Sequence, residues 1–307
     1  PAYTQVELKA NIAEVTALRS LCYFYLIRTF RDVPYTTVAF TDDNVEMALP
    51  ATKFDAVLDS LITSLESVKS MAVRRYPETE PLYQTGRITQ DAIYAMLCEM
   101  YLWKQDYDNC IRYADMIIAS KKQIAEDNRS LSMGLGASSS AADNERFNGF
   151  PLINGSASTN VYGYAYRYLF GSDTYYSRYN QEIIFQLIFD DDPRGNSMIA
   201  NGAVNTFYGN STSRVGLVAP SDFILDDIEK TSSRNIFADR NKKVDARMYE
   251  NCNVDQKSVN KFVTQTISIN ATSPTSPTIS YGSAYTENYN TSNWVIYRLT
   301  DIMLMKD

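Results

Sequence analysis

Residues Thr89–Ser120, TQDAIYAMLCEMYLWKQDYDNCIRYADMIIAS, are the stretch whose reading decides the fold. Ala92, Ala95, Met96 and Tyr101 recur at helical spacing in its first half, and Ile111, Ala114, Ile117 and Ile118 in its second. Gln105-Asp106-Tyr107-Asp108 between them is short and polar, so the two halves read as a helical hairpin.

That hairpin is close to a tetratricopeptide repeat, whose two antiparallel helices need small residues where they touch. In this register Cys98 and Cys110 fall on the small-residue positions, which explains both as small hydrophobes at a helix–helix contact. The alternative is a disulfide or metal pair, and under either reading the two sulfurs should lie close together. The chain has 4 cysteines, with Cys22 and Cys252 completing the set; none makes a CxxC pair, and they are too few for a disulfide framework.

Working outward, Asn11 to Phe30 reads as a helix with Leu18, Leu21, Cys22 and Tyr25 on one face. Because Leu21–Ile27 is apolar all round, the spacing predicts a helix buried on most sides. Arg31-Asp32-Val33-Pro34 closes it, since the residue before a proline is pushed out of the helical region. Thr52 and Asp55 form an S/T-x-x-acid start signal for a second helix. Phe54, Val57, Leu58, Leu61, Ile62, Leu65 and Val68 then trace its apolar stripe.

After Ser120 the character changes to Ser, Asn, Gly and Tyr over residues 121–215, with turn signals at Ser138-Ser139-Ser140 and Asn154-Gly155-Ser156. Glu182–Phe189 is short, β-branched and aromatic, a strand pattern. A short helix is expected over 221–229 and a second strand within Asn260–Ile269, then loop over 270–293 and an apolar helix over Trp294–Lys306. The expected fold is mainly α. It comprises a tetratricopeptide-like helical-pair scaffold over 1–120, a long loop-rich insert with a few short strands over 121–293, and the start of a further scaffold helix over 294–307. Long irregular segments inside compact domains are usually functional, so the insert is the expected ligand-binding region. The chain opens at Pro1 without a signal peptide and stops at Asp307 inside an apolar pattern, so truncation at both ends is expected.

Composition narrows the chemistry. At 307 residues with 45% hydrophobic and 21% charged content, the chain can bury a sizeable core. The net charge of −7 lacks the electrostatic footprint of a nucleic-acid binder. Histidine is absent, which removes imidazole-based nucleophilic mechanisms and the usual His-containing catalytic zinc sites. Carboxylate chemistry stays open. No apolar run is long enough to span a membrane. Tyrosine is plentiful, at 23 against 13 Phe and 2 Trp; its apolar face and polar tip suit wet binding surfaces, although it also packs helices.

Four segments in order resemble the SusD/RagB family of nutrient-binding proteins. Arg19-Ser20-Leu21-Cys22-Tyr23-Phe24-Tyr25-Leu26-Ile27-Arg28-Thr29-Phe30-Arg31-Asp32-Val33-Pro34 is similar to its aromatic helix ending in a G-D-V-P turn, with Arg31 in place of the usual glycine. Gly86-Arg87-Ile88-Thr89 precedes the hairpin, which carries Tyr101-Leu102 and Asp106-Tyr107. Pro220-Ser221 with Asp245-Ala246-Arg247 resembles the family's P-S/T and D-x-R pair, and Ile296–Met305 its R-x-A-D/E-x-L-L-M helix. The resemblance implies a non-enzymatic surface lipoprotein of a Bacteroidetes-type bacterium that binds oligo- or polysaccharide, without a cofactor. It would sit on the outward face of the outer membrane through an N-terminal lipid anchor absent from this chain. From there it would pass glycan to a SusC-like TonB-dependent transporter. Some relatives bind peptides instead, and an α-helical glycoside hydrolase, requiring two carboxylates ~5–9.5 Å apart across a cleft, is the competing class.

Sugar recognition sets aromatic faces against C–H surfaces and amides or carboxylates against hydroxyls. Tyr162, Tyr164, Tyr166 and Tyr168 alternate, so in an extended segment they share a face, forming either a sugar platform or a strand packed on helices. The ligand-binding set expected on this chemistry is Tyr162, Tyr164, Tyr176, Tyr208, Tyr285 and Tyr289 with Asn154 and Asn210. Tyr175, Tyr281 and Asn205 are further loop candidates, while Trp103 and Trp294 read as structural. Asp190-Asp191-Asp192 lacks the spacing of a calcium loop and reads as a solvated turn, and the five N-x-S/T segments read as polar loops. No catalytic or metal-ligating residue is expected.

Overall fold

The computed structural model describes residues 3–41, 48–77, 80–128, 169–170, 182–189, 201–208, 216–221, 251–253, 257–259, 261–262, 267–270, 278–281 and 292–307. Two compact units result: residues 1–124 with 297–307, and residues 125–296. Among the described residues the first is helical and the second carries most of the strand structure.

In the first unit, α1 (Gln5–Phe30) starts earlier than the periodicity indicates, because Thr4 and Glu7 form a reciprocal capping box. Its buried face is Ala13, Ala17, Ser20, Leu21, Phe24 and Ile27. Leu18 and Tyr25 are 41% and 44% exposed and Cys22 is exposed, so the expectation of burial on most sides fails. Small residues mark the chosen face, where Ala13, Ala17 and Ser20 are buried, and α1 packs against α2 (Phe54–Val68).

Between these helices, β1 (Val33–Pro34) pairs antiparallel with β2 (Ala51–Thr52). This pairing overturns the expected start signal for α2. Thr52 is engaged in β2, the N-cap is Lys53, and no side-chain bond comes from it. Instead the Phe54 amide donates to Asp32 Oδ1 at 3.0 Å, and Lys53 Nζ pairs with Asp32 Oδ2 at 2.6 Å. The cap thus comes from the turn closing α1. All seven apolar residues of the expected α2 stripe are buried.

A short α3 (Pro81–Gly86) leads into the hairpin of α4 (Gln90–Trp103) and α5 (Tyr107–Asn128). Thr89 caps α4 by accepting from the Ala92 amide, and Arg87 and the Ile88 amide both reach Glu14 on α1. The Gly-Arg-Ile-Thr segment therefore anchors the hairpin to the first helix. Gln105 ends α4 at φ 61°, with its amide donating to Leu102 O and that of Asp106 to Tyr101 O, a Schellman termination. Asp106 then caps α5, its Oδ1 accepting from the Asn109 amide at 3.2 Å. Helix α5 runs past Ser120, into residues expected to be loop.

Polar knots stitch these helices together. Glu66 on α2 accepts from Tyr101 on α4 and Tyr113 on α5, whose rings stack 5.9 Å apart. Glu99 on α4 accepts from Arg28 of α1 at 2.5 Å and from Tyr297 at 2.6 Å. Asp91 and Lys121, both almost wholly buried, lie along the hairpin, with Ser120 Oγ donating to Asp91 at 2.9 Å.

The expected final helix is a strand followed by a helix: β8 (Trp294–Arg298) precedes α7 (Leu299–Lys306), which packs on α4. The aromatic and β-branched run Trp294-Val295-Ile296-Tyr297 favours extended backbone. Within the second unit, β3 (Ile183–Leu187) falls where a strand is expected and pairs with β8, whose Trp294–Ile296 end belongs to this unit. Two antiparallel pairs join β4 (Cys252–Asn253) to β5 (Ser258–Val259), and β6 (Ile267–Asn270) to β7 (Thr278–Tyr281). The β6–β7 pairing places a strand in the 270–293 stretch expected to be loop. The helix expected over 221–229 lies, beyond Ser221, outside the described residues.

Candidate ligand-binding site

Of the expected ligand-binding residues only Tyr208 falls among those described. Tyr162, Tyr164, Tyr176, Tyr285, Tyr289, Asn154 and Asn210 lie outside them, as do Tyr166, Tyr168, Tyr175 and Asp190–Asp192. Tyr208 is the last residue of α6 (Gly202–Tyr208) in the second unit. Asn201 begins that helix: its Oδ1 accepts from the Val204 amide at 3.1 Å, and its amide group donates to Ser292 O at 2.9 Å. One asparagine thus caps α6 and ties it to the segment entering β8.

The core beneath Tyr208 is Leu169, Phe170, Ile183, Val204 and Phe262, with Tyr208, Trp294 and Val295 packed against it. Phe262 is the centre of a stack. Tyr208 lies parallel to it at 6.0 Å and Trp294 at 5.1 Å, and Phe170 meets it edge-on at 5.4 Å. Its backbone has φ 69°, a costly conformation for a bulky aromatic, held by these contacts and by Ser292 Oγ donating to its carbonyl. Lys261 Nζ stands 4.1 Å from the Phe170 ring centroid, adding cation–π attraction. Trp294 thus packs on this core while staying partly exposed.

Tyr208 is only partly buried, so a ring seated on Phe262 still reaches the surface. Beside it Phe207 is 47% exposed, and Leu217 and Val218 are exposed where their amides donate to Thr206 O and Phe207 O. Gly216 is required for this approach, since a Cβ there would fall 2.2 Å from the Phe207 carbonyl oxygen. Phe207, Leu217 and Val218 were not expected at the site; Pro220 nearby marks a turn but nothing in the pattern says where it returns. The resulting edge offers aromatic and apolar contacts around one phenol.

Acid–base groups are arranged differently. Burial raises Asp91, partly offset by Lys121, Ser120 and Arg74. It is nearly inaccessible, influenced by the charges of Lys121 and Arg74, and accepts a hydrogen bond from Ser120 Oγ. Among the described residues no cluster of three His, Cys, Asp or Glu side chains is placed to hold a metal, and no helix is long and apolar enough to cross a membrane.

No family model matches the chain. A curated SusD-like protein of Formosa agariphila is 22% identical over 231 residues, covering 74% of this chain and 35% of that protein. The fold matches a SusD-like carbohydrate-binding protein of Bacteroides fragilis with TM-score 0.57 and 14% identity, covering 99% of this chain and 55% of that one. It also matches a laminarin-binding SusD-like protein with TM-score 0.55 and 15% identity, covering 99% of this chain and 60% of that one. The chain thus spans about a third of the curated relative and little more than half of these structures. Together they agree with the resemblance read from the four motifs: the chain is similar to SusD-like proteins and has the mainly helical fold of the solved ones.

Proposed function

We propose that this protein binds oligo- or polysaccharide without chemically altering it, with the ligand site on the unit of residues 125–296. The likeness over 99% of the chain to a solved carbohydrate-binding SusD-like protein carries this reading. The aromatic edge at Tyr208 supports it, as does the tyrosine-rich composition of residues 162–176 and 281–289. In this reading the protein works on the outward face of the outer membrane, held by a lipid anchor. It transfers glycan to a SusC-like TonB-dependent transporter.

The test is affinity electrophoresis of the protein in gels containing laminarin and a panel of other glycans. Retardation in at least one gel is expected, reduced several-fold in Tyr164→Ala, Tyr285→Ala or Tyr208→Ala variants that keep the native circular dichroism spectrum. Migration unchanged by every glycan sinks the carbohydrate reading, whereas retardation unaffected by all three substitutions relocates the site.

A further inference from the structure

We propose that Cys98 and Cys110 form an oxidation site, closing to an intramolecular disulfide that staples α4 to α5. Their Sγ atoms face each other at 3.5 Å as free thiols, and both side chains are almost wholly buried. Reaching the bonded separation of about 2.05 Å requires a combined movement of only ~1.5 Å. The approach is set by the fold: the Schellman turn at Gln105 and the Asp106 cap fix the hairpin that carries both residues. Further contacts at 3.5 Å, from Cys98 Sγ to Cys110 O and from Cys110 Sγ to Met305 O, confine the sulfurs to this space. Of the other two cysteines, Cys22 is exposed on α1 and Cys252 is buried in the second unit.

The chemistry is a two-electron exchange with a small-molecule disulfide such as oxidised glutathione. One cysteine thiolate attacks the glutathione disulfide and expels a glutathione thiolate, leaving a mixed disulfide. The second cysteine thiolate attacks the protein-side sulfur and expels the other. The two electrons and the two thiol protons end on two glutathione molecules. Burial pushes both cysteine thiols above their usual range, so thiolate is scarce in the folded hairpin. Closure therefore belongs to the stage when the hairpin is assembling and the oxidant has access.

The experiment is oxidative refolding of the full chain in a glutathione redox buffer, followed by alkylation and peptide mass mapping. The same mapping on protein exported to an oxidising periplasm removes the refolding step. A peptide linking Cys98 to Cys110 is expected, with loss of two of the 4 alkylatable thiols. Tm should exceed that of the reduced form by roughly 5 °C. Cys98→Ala and Cys110→Ala should each retain every remaining thiol. Folded protein keeping all 4 thiols in both preparations, or pairing chiefly through Cys22 or Cys252, overturns the proposal.

Discussion

Arg31 occupies φ 63° and ψ −88° at the end of α1, a conformation that glycine adopts more readily than a residue with a side chain. A side chain there crowds the backbone, and the Arg31 guanidinium recovers part of the cost by lying 5.4 Å over the Phe54 ring. Arg31→Gly should therefore raise unfolding stability by about 1 kcal/mol, read from the urea midpoint. Tyr297→Phe removes the phenol donating to Glu99 Oε2 at 2.6 Å and should cost ~1.5–3 kcal/mol in the same measurement. Acid sensitivity follows from two carboxylates. The Lys53 hydrogen bond and the Phe54 amide hold Asp32 below its usual range. For Glu66 burial works upward but is outweighed by Lys69, Tyr113 and Tyr101. A depressed folded pKa gives stability that is full above the unfolded value near ~4 and lost as pH falls through the folded one. The urea midpoint should accordingly drop below about pH 4, and less steeply in Asp32→Asn. Neither group was visible beforehand: Asp32 reads as part of a turn, and its service to Phe54 depends on β1 meeting β2.

Among elements, the hairpin was legible because 3.6-residue periodicity survives in α4 and α5, and the α2 stripe for the same reason. Helix α1 was legible in existence but not in orientation. Apolar residues surround it, so periodicity could not choose between the Leu18–Tyr25 face and the buried Ala13–Ala17 face. Trp294–Tyr297 was misread because a short apolar run satisfies helix and strand patterns alike, and pairing with β3 decides it. The candidate site was least legible, since its described edge joins segments apart in sequence, as Gly216–Val218 returning to α6 illustrates. Two predictions belong here. Gln105→Gly relieves the left-handed residue of the Schellman turn and should stabilise the hairpin by ~0.5–1 kcal/mol in urea unfolding. Gly216→Ala forces Cβ against the Phe207 carbonyl and should destabilise the second unit by ~1–3 kcal/mol, with reduced thermal stability as the readout.

For the whole molecule, the proposed binding of carbohydrate without hydrolysis accords with three described acids that serve the scaffold: Glu99 holds a guanidinium, Asp32 an ammonium and Asp91 a hydroxyl. Incubation with laminarin should release no reducing ends above the buffer blank, and release proportional to protein concentration would restore the hydrolase reading. The Glu99 junction has a consequence for biogenesis. It joins Arg28, 71 positions earlier, to Tyr297, 198 positions later. As the chain emerges in order, the leading helices wait for the intervening polypeptide, with one flank of their assembly unfinished. Bringing such distant partners together carries a loop-closure cost that nearby contacts do not repay in advance. Maturation should thus be gated by arrival of the trailing strand and helix, and chains truncated before Tyr297 should be the forms most dependent on chaperones.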